Sequence, residues 1–190
     1  MAELLDRPGP TRAPDPDPLA PAGAEVQVLE AVQRAVGGTA VVKAARGASL
    51  FGEHAAGWLA IGAIGALADR RRRREWLTAT AGVALAHGVS IGVKRVVRRP
   101  RPHDPRVQVL VGTPSRLSFP SAHATSTTAA AVLFGALVHK PLVPLLVPPM
   151  AASRLVLGVH YPSDVLAGSL LGAAVAVATR RWGATRRGTR

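Results

Sequence analysis

The sequence predicts an all-α integral membrane protein: a bundle of about five transmembrane helices, six at most, behind an N-terminal amphipathic helix. Three observations predict it. First, 48% of the 190 residues are hydrophobic but only 4% are aromatic, with three Phe, three Trp and one Tyr. An apolar content built from Ala, Val, Leu and Gly suits helices packed closely in lipid. Second, four or five apolar stretches approach the roughly 20 residues that a helix needs to cross a hydrocarbon layer ~30 Å thick. Third, the 24 Lys and Arg, which give a formal net charge of +13, gather at the ends of those stretches. That placement marks a membrane protein and argues against a basic nucleic-acid binder, whose cations would line a solvated face. With no Cys, disulfides and thiolate metal sites are excluded.

The elements follow in order. Residues 1–24 carry six Pro among acidic and small residues and predict a disordered tail, with no apolar run after a basic start to make it a signal peptide. Residues 25–48 repeat apolar positions at helical spacing (Val26, Leu29, Val32, Val36), yet Glu30, Arg34, Lys43 and Arg46 interrupt any span, so an interfacial amphipathic helix is expected. The membrane domain then covers 49–182. Its spans run from Ser49 to Ala68, Trp76 to Val93, Ser121 to Val138, Leu142 to Val159, with Pro144, Pro148 and Pro149 inside it, and Val165 to Thr179. A Pro- and Arg-rich loop, Arg95 to Pro120, separates the second and third spans, and residues 183–190 form a basic tail. If all five cross, the loops after Lys94 and around His160 share one side. Arg70 to Arg74, Lys140 and the C-terminal tail share the other. Eleven Lys and Arg then fall on that second side and thirteen on the first, so the positive-inside rule leaves the sidedness of the site undecided.

Three clusters at the shared side carry the chemistry. The first is Lys94, six residues, Arg101-Pro102; the second is Pro120-Ser121-Ala122-His123; the third is Ser153-Arg154, five residues, His160, three residues, Asp164. Lys94, Arg101 and Arg154 are cations suited to a tetrahedral oxyanion, Arg as a planar fork and Lys as a compact charge. Three cations at one spot repel one another unless an anion joins them. Two His and one Asp complete a set in which one imidazole attacks, another protonates a leaving oxygen and the carboxylate holds the nucleophile's tautomer. The start of the third span adds backbone N–H groups aimed at an anion. The clusters hold a single carboxylate, too few to cage Mg²⁺.

The pattern resembles the type 2 phosphatidic acid phosphatase (PAP2) superfamily in every spacing inside each cluster, across the 71 residues from Lys94 to Asp164. The resemblance implies a membrane lipid-phosphate phosphatase needing no metal or cofactor. It implies that His160 attacks phosphorus, Asp164 orients it and His123 is the general acid. Lys94, Arg101, Ser121, the backbone of Ala122 and Arg154 would hold the phosphate. One departure is Ala122, where the family usually has Gly; Ala keeps the N–H but restricts φ. A narrower resemblance, over Val93 to Pro105, Ser118 to Thr128 and Ala152 to Gly168, is to the actinobacterial branch acting on decaprenylphosphoryl-5-phosphoribose in cell-wall arabinan precursor synthesis. It implies a bacterial plasma membrane and a lipid-linked phosphate as partner. The same clusters would equally serve an undecaprenyl pyrophosphate, phosphatidate or phosphatidylglycerol-phosphate phosphatase, because they grip only the phosphate. A vanadium-dependent haloperoxidase shares the pattern, but those are larger soluble proteins.

The remaining polar residues receive plainer expectations. His103 and Asp104 follow Arg101-Pro102 closely and are candidates for headgroup contacts. Arg95, Arg98 and Arg99 are expected at lipid headgroups and Arg106 as a solvated charge, while His54 and His87 are expected to pack. Glu53 sits near a span's end, where it can reach water. The small-residue face Gly168, Gly172, Ala176 suits packing within one bundle or between copies in a homo-oligomer.

Overall fold

The computed structural model describes residues 22–36 and 38–188; the Pro-rich segment 1–21 and the last two residues of the basic tail lie outside it. Among the described residues all regular structure is helical: α1 (Ala24–Val36), α2 (Thr39–Gly52), α3 (Ala56–Ala68), α4 (Arg73–Val97), α5 (Ala122–Val138), α6 (Val143–Val156) and α7 (Pro162–Gly188). Three segments are long and apolar enough to cross a membrane: Thr39–Ala68, Arg70–Val97 and Pro162–Thr185. α5 and α6, expected as spans three and four, are shorter, about 25 Å and 21 Å at 1.5 Å per residue. Pro144 opens α6 and Pro148 and Pro149 stay inside it.

The expected single helix over 25–48 is two. α1 ends at Val36, and α2 runs on toward α3 as one apolar segment, broken by the turn Glu53–Ala55, where His54 and Ala55 take left-handed φ of 50° and 59°. α1 also packs against the rest of the bundle. Leu29 is wholly buried, and Gln33 donates to the carbonyls of Gln108 and Val156 while accepting from the Gln108 N–H. Gln33 thus ties the C-terminal half of α1 to the loop after α4 and to the end of α6, contacts that the sequence pattern could not reveal.

α5 is the axis. It packs against α4, α6 and α7 and is apolar or small all round, as a helix enclosed by others must be. Ala124 to Ala131 are all buried. α7 crosses α5 at backbone contact: a Cβ on Gly172 would lie 2.2 Å from the Thr125 carbonyl oxygen, and one on Gly168 2.5 Å from that of Ser121. With Ala176 wholly buried too, the small-residue face is used inside the bundle. Large apolar side chains such as Leu50, Ile64, Leu67, Leu85, Leu145, Leu166 and Leu170 point outward, as lipid requires.

The bundle has two chemically distinct ends. At one, Arg72 pairs with Asp69 and donates to the Leu137 carbonyl, joining the α3–α4 turn to the end of α5. At the other, Lys94, the loop 98–121 and the α6–α7 turn converge: Arg101 donates to the Val159 carbonyl (2.6 Å) and the Ser121 N–H donates to the Asp164 carbonyl (2.9 Å).

Candidate active site

The three clusters meet at this second end. Lys94, in the last turn of α4, is buried and donates to the carbonyls of Leu117 (3.1 Å) and Ser118 (2.9 Å). Arg101 is clamped by carbonyls, Nε to Ser115 at 2.8 Å and Nη1 to Val159. Arg154, 2% exposed, reaches Ser153 Oγ through Nε and Ser49 Oγ through Nη1, both at 3.1 Å, while its Nη2 has no protein partner. All three cations are held by neutral oxygens and act on one another electrostatically through Arg101. Burial pushes the Arg101 guanidinium down to about 10, against the pull of Asp164. A buried cation cluster of this kind, with one guanidinium nitrogen unpartnered, suits a multivalent anion.

His160 sits in the turn between α6 and α7, 2% exposed. Its Nε2 lies 3.1 Å from Arg101 Nη1 and its Nδ1 3.5 Å from Asp164 Oδ2. A guanidinium only donates, so Nε2 carries the lone pair and Nδ1 the proton. The Nδ1–H faces the carboxylate but falls short of an aligned hydrogen bond, since the nitrogen has no bonded partner by geometry. Burial pulls the imidazole down to about 3, with Arg101 and Lys94 adding to that effect and Asp164 opposing it. The ring is therefore neutral, with its Nε2 lone pair turned toward Arg101.

His123, one residue into α5, turns its Nε2 to the Ser49 carbonyl at 2.9 Å. Here the acceptor is fixed, so Nε2 carries the proton and Nδ1 is left to exchange one. The break after α2 makes this contact: a Cβ on Gly52 would come within 2.7 Å of the imidazole Cδ2. Ser121 caps α5 from a fully buried position, its Oγ facing the Ala124 N–H at 3.5 Å. Ala122 is the first helical residue after it and is absent from the positive-φ positions, so this backbone site does not require Gly.

Other residues stand apart from the cluster. Both carboxylate oxygens of Asp104 accept from Arg106, which pulls it to about 2. His103 is exposed, with Nδ1 against the Arg101 carbonyl. Arg106, expected as solvated, is thus committed to Asp104. Arg99, expected at headgroups, instead contacts Asp164, Ser163 and Glu25 and lies over the Tyr161 ring. Two residues outside the three clusters also reach these groups: Ser49 bonds His123 and Arg154, and Glu25 bonds Arg99 and Ser163. Neither lies in a cluster, and no local signal relates them to residues 74 to 138 positions away.

The chain matches the family model described as the PAP2 superfamily over residues 75–188. It is 58% identical over 157 residues to the decaprenylphosphoryl-5-phosphoribose phosphatase of Mycobacterium tuberculosis, covering 82% of this chain and 88% of that protein. It is 61% identical over 150 residues to the protein of the same name from Mycolicibacterium smegmatis, covering 78% and 83%. Its fold resembles the crystal structure of a transmembrane PAP2-type phosphatidylglycerolphosphate phosphatase from Bacillus subtilis. The TM-score is 0.67 at 21% identity, over 86% of this chain and 88% of that one.

Proposed function

The chain belongs to the PAP2 superfamily, and from that premise we propose that it is a bacterial plasma-membrane phosphatase. Its substrate is decaprenylphosphoryl-5-phosphoribose, from which it removes the 5-phosphate through a phosphohistidine on His160. The substrate rests on the 58–61% identity to phosphatases of that name. The chemistry rests on one observation: His160 presents a lone pair at Nε2 beside Arg101 while its Nδ1 proton faces Asp164.

The geometry supports two in-line steps. In the first, His160 Nε2 forms a bond to phosphorus as the bond from phosphorus to the ribose oxygen breaks. With the phosphate's negative charge among the cations, His123 takes up a second proton at Nδ1 and gives it to the departing alkoxide. Lys94, Arg101, Arg154 and the N–H groups at the start of α5 hold the equatorial oxygens, where charge accumulates. The phosphorylated ring is cationic, and Asp164 compensates it. In the second step His123 takes a proton from water, the oxygen attacks phosphorus, the N–P bond breaks and phosphate leaves.

The test is phosphate release by the purified protein from decaprenylphosphoryl-5-phosphoribose, undecaprenyl pyrophosphate, phosphatidate and phosphatidylglycerol phosphate. The first is expected to turn over fastest, and equal rates on all four defeat the narrow assignment. His160→Ala is expected to abolish turnover on every substrate; residual turnover near the wild-type rate defeats the covalent mechanism.

A further inference from the structure

Asp164 is wholly buried, and its two carboxylate oxygens have separate tasks. Oδ2 accepts from the Tyr161 N–H at 2.8 Å and faces His160 Nδ1. Oδ1 accepts from Arg99 Nη1 at 3.1 Å. Rotation of the carboxylate would carry Oδ2 away from the imidazole, and without Arg99 the buried Oδ1 would have no donor. Arg99 is itself held on several sides. Nη1 also donates to Ser163 Oγ (2.6 Å), Nη2 donates to Glu25 Oε2, and the guanidinium carbon stands 4.1 Å above the Tyr161 ring. Glu25, in the first turn of α1, closes the loop: its Oε1 accepts from both the N–H (3.0 Å) and the Oγ (2.6 Å) of Ser163. Burial opposes ionisation of Glu25, but the bonds from Ser163 and Arg99 outweigh it and keep the carboxylate charged.

We propose that Arg99 is a positioning residue for the nucleophile, holding Asp164 in the orientation that serves His160, and that Glu25 of α1 acts on the reaction by holding Arg99. The inference rests on the phosphohistidine reading above. Its logic is one of charge as well as geometry. A guanidinium paired with Asp164 alone would draw off the negative charge that the cationic phosphoimidazole needs. Placed between two carboxylates, Arg99 orients Asp164 while Glu25 takes part of its charge. A Lys cannot replace it, since a single ammonium has no planar fork to reach Asp164 and Glu25 from one position. In consequence the N-terminal helix, remote from the three clusters in sequence, becomes part of the catalytic assembly.

The experiment is a steady-state comparison on decaprenylphosphoryl-5-phosphoribose, with rates normalised to the folded fraction. The variants are Arg99→Met, Arg99→Lys, Glu25→Ala and the double Arg99→Met/Glu25→Ala. Misplacing the group that orients a nucleophile costs on the order of 10²-fold. Arg99→Met is therefore expected to lose about 10²-fold in kcat with KM changed less than about threefold, and Glu25→Ala about tenfold. The double variant should match Arg99→Met, because Glu25 acts through Arg99. Should Arg99→Met fail to fold, Arg99→Lys, which keeps a cation over Tyr161, decides the matter by the same kcat loss. A kcat within threefold of wild type in either folded Arg99 variant overturns the proposal, as do losses that multiply in the double variant. Turnover surviving in His160→Ala would instead defeat the underlying mechanism and leave a different signature.

Discussion

Replacing Arg154 by Met should separate activity from stability, and the structure sets both magnitudes. The guanidinium is 2% exposed, its Nε and Nη1 bonded to serine hydroxyls and its Nη2 unpartnered. A charge-assisted hydrogen bond contributes about 1.5–3 kcal/mol. Losing one bond from Nη2 to a phosphate oxygen should therefore lower kcat/KM by roughly 10- to 150-fold. Stability of the anion-free protein should move little. Met loses two bonds to hydroxyls, but it also removes a buried charge that repels Arg101, and such replacements are often neutral or stabilising. Anion binding must then change sharply. An anion at 100 times its Kd adds about 2.7 kcal/mol to the folded state, so phosphate or vanadate should raise the melting temperature of the wild type and do so far less in Arg154→Met. The assays are phosphate release and thermal melting in detergent with increasing anion. Equal anion-dependent shifts in both proteins, or a kcat/KM within threefold of wild type, would refute the idea that Arg154 waits for a phosphate.

Three further outcomes are expected. Gly52→Ala places a Cβ 2.7 Å from the His123 Cδ2; the imidazole must shift, and kcat should fall by about tenfold or more, whereas an unchanged kcat would mean that His123 need not hold this position. Gly172→Ala sets a Cβ 2.2 Å from a backbone oxygen of α5, so helix separation should cost at least about 2 kcal/mol; an unaltered melting temperature would contradict the close crossing. Finally, the His160 imidazole is held at about 3, below its ordinary 6.5. Between those values the unfolded chain binds the extra proton, so this contribution is complete above pH 6.5 and is lost as pH falls toward 3. At pH 5 the loss is about 2 kcal/mol. His160→Asn should accordingly lose less melting temperature than the wild type between pH 7 and 5, and an equal loss would exclude His160 as the source.

The sequence by itself determined the helical membrane character, because lipid demands long apolar segments and confines charge to their ends. It also set the members of each cluster beside one another, because each cluster is local: Ser121 precedes His123 by two residues and Asp164 follows His160 by four, spacings that survive any arrangement of the bundle. What only the tertiary structure decided are contacts between elements far apart in the chain. Ser49 meets His123 and Arg154 because α2 breaks at Glu53–Ala55 and turns its last residues toward α5. Arg99, indistinguishable in sequence from the basic residues around it, faces Asp164 because the loop after α4 folds back over the start of α7, and Glu25 reaches it because α1 docks there. Periodicity and spacing record what a residue needs from its own helix or strand. They carry no trace of which distant carboxylate or carbonyl will satisfy a buried cation, since that partner is set by packing the whole chain.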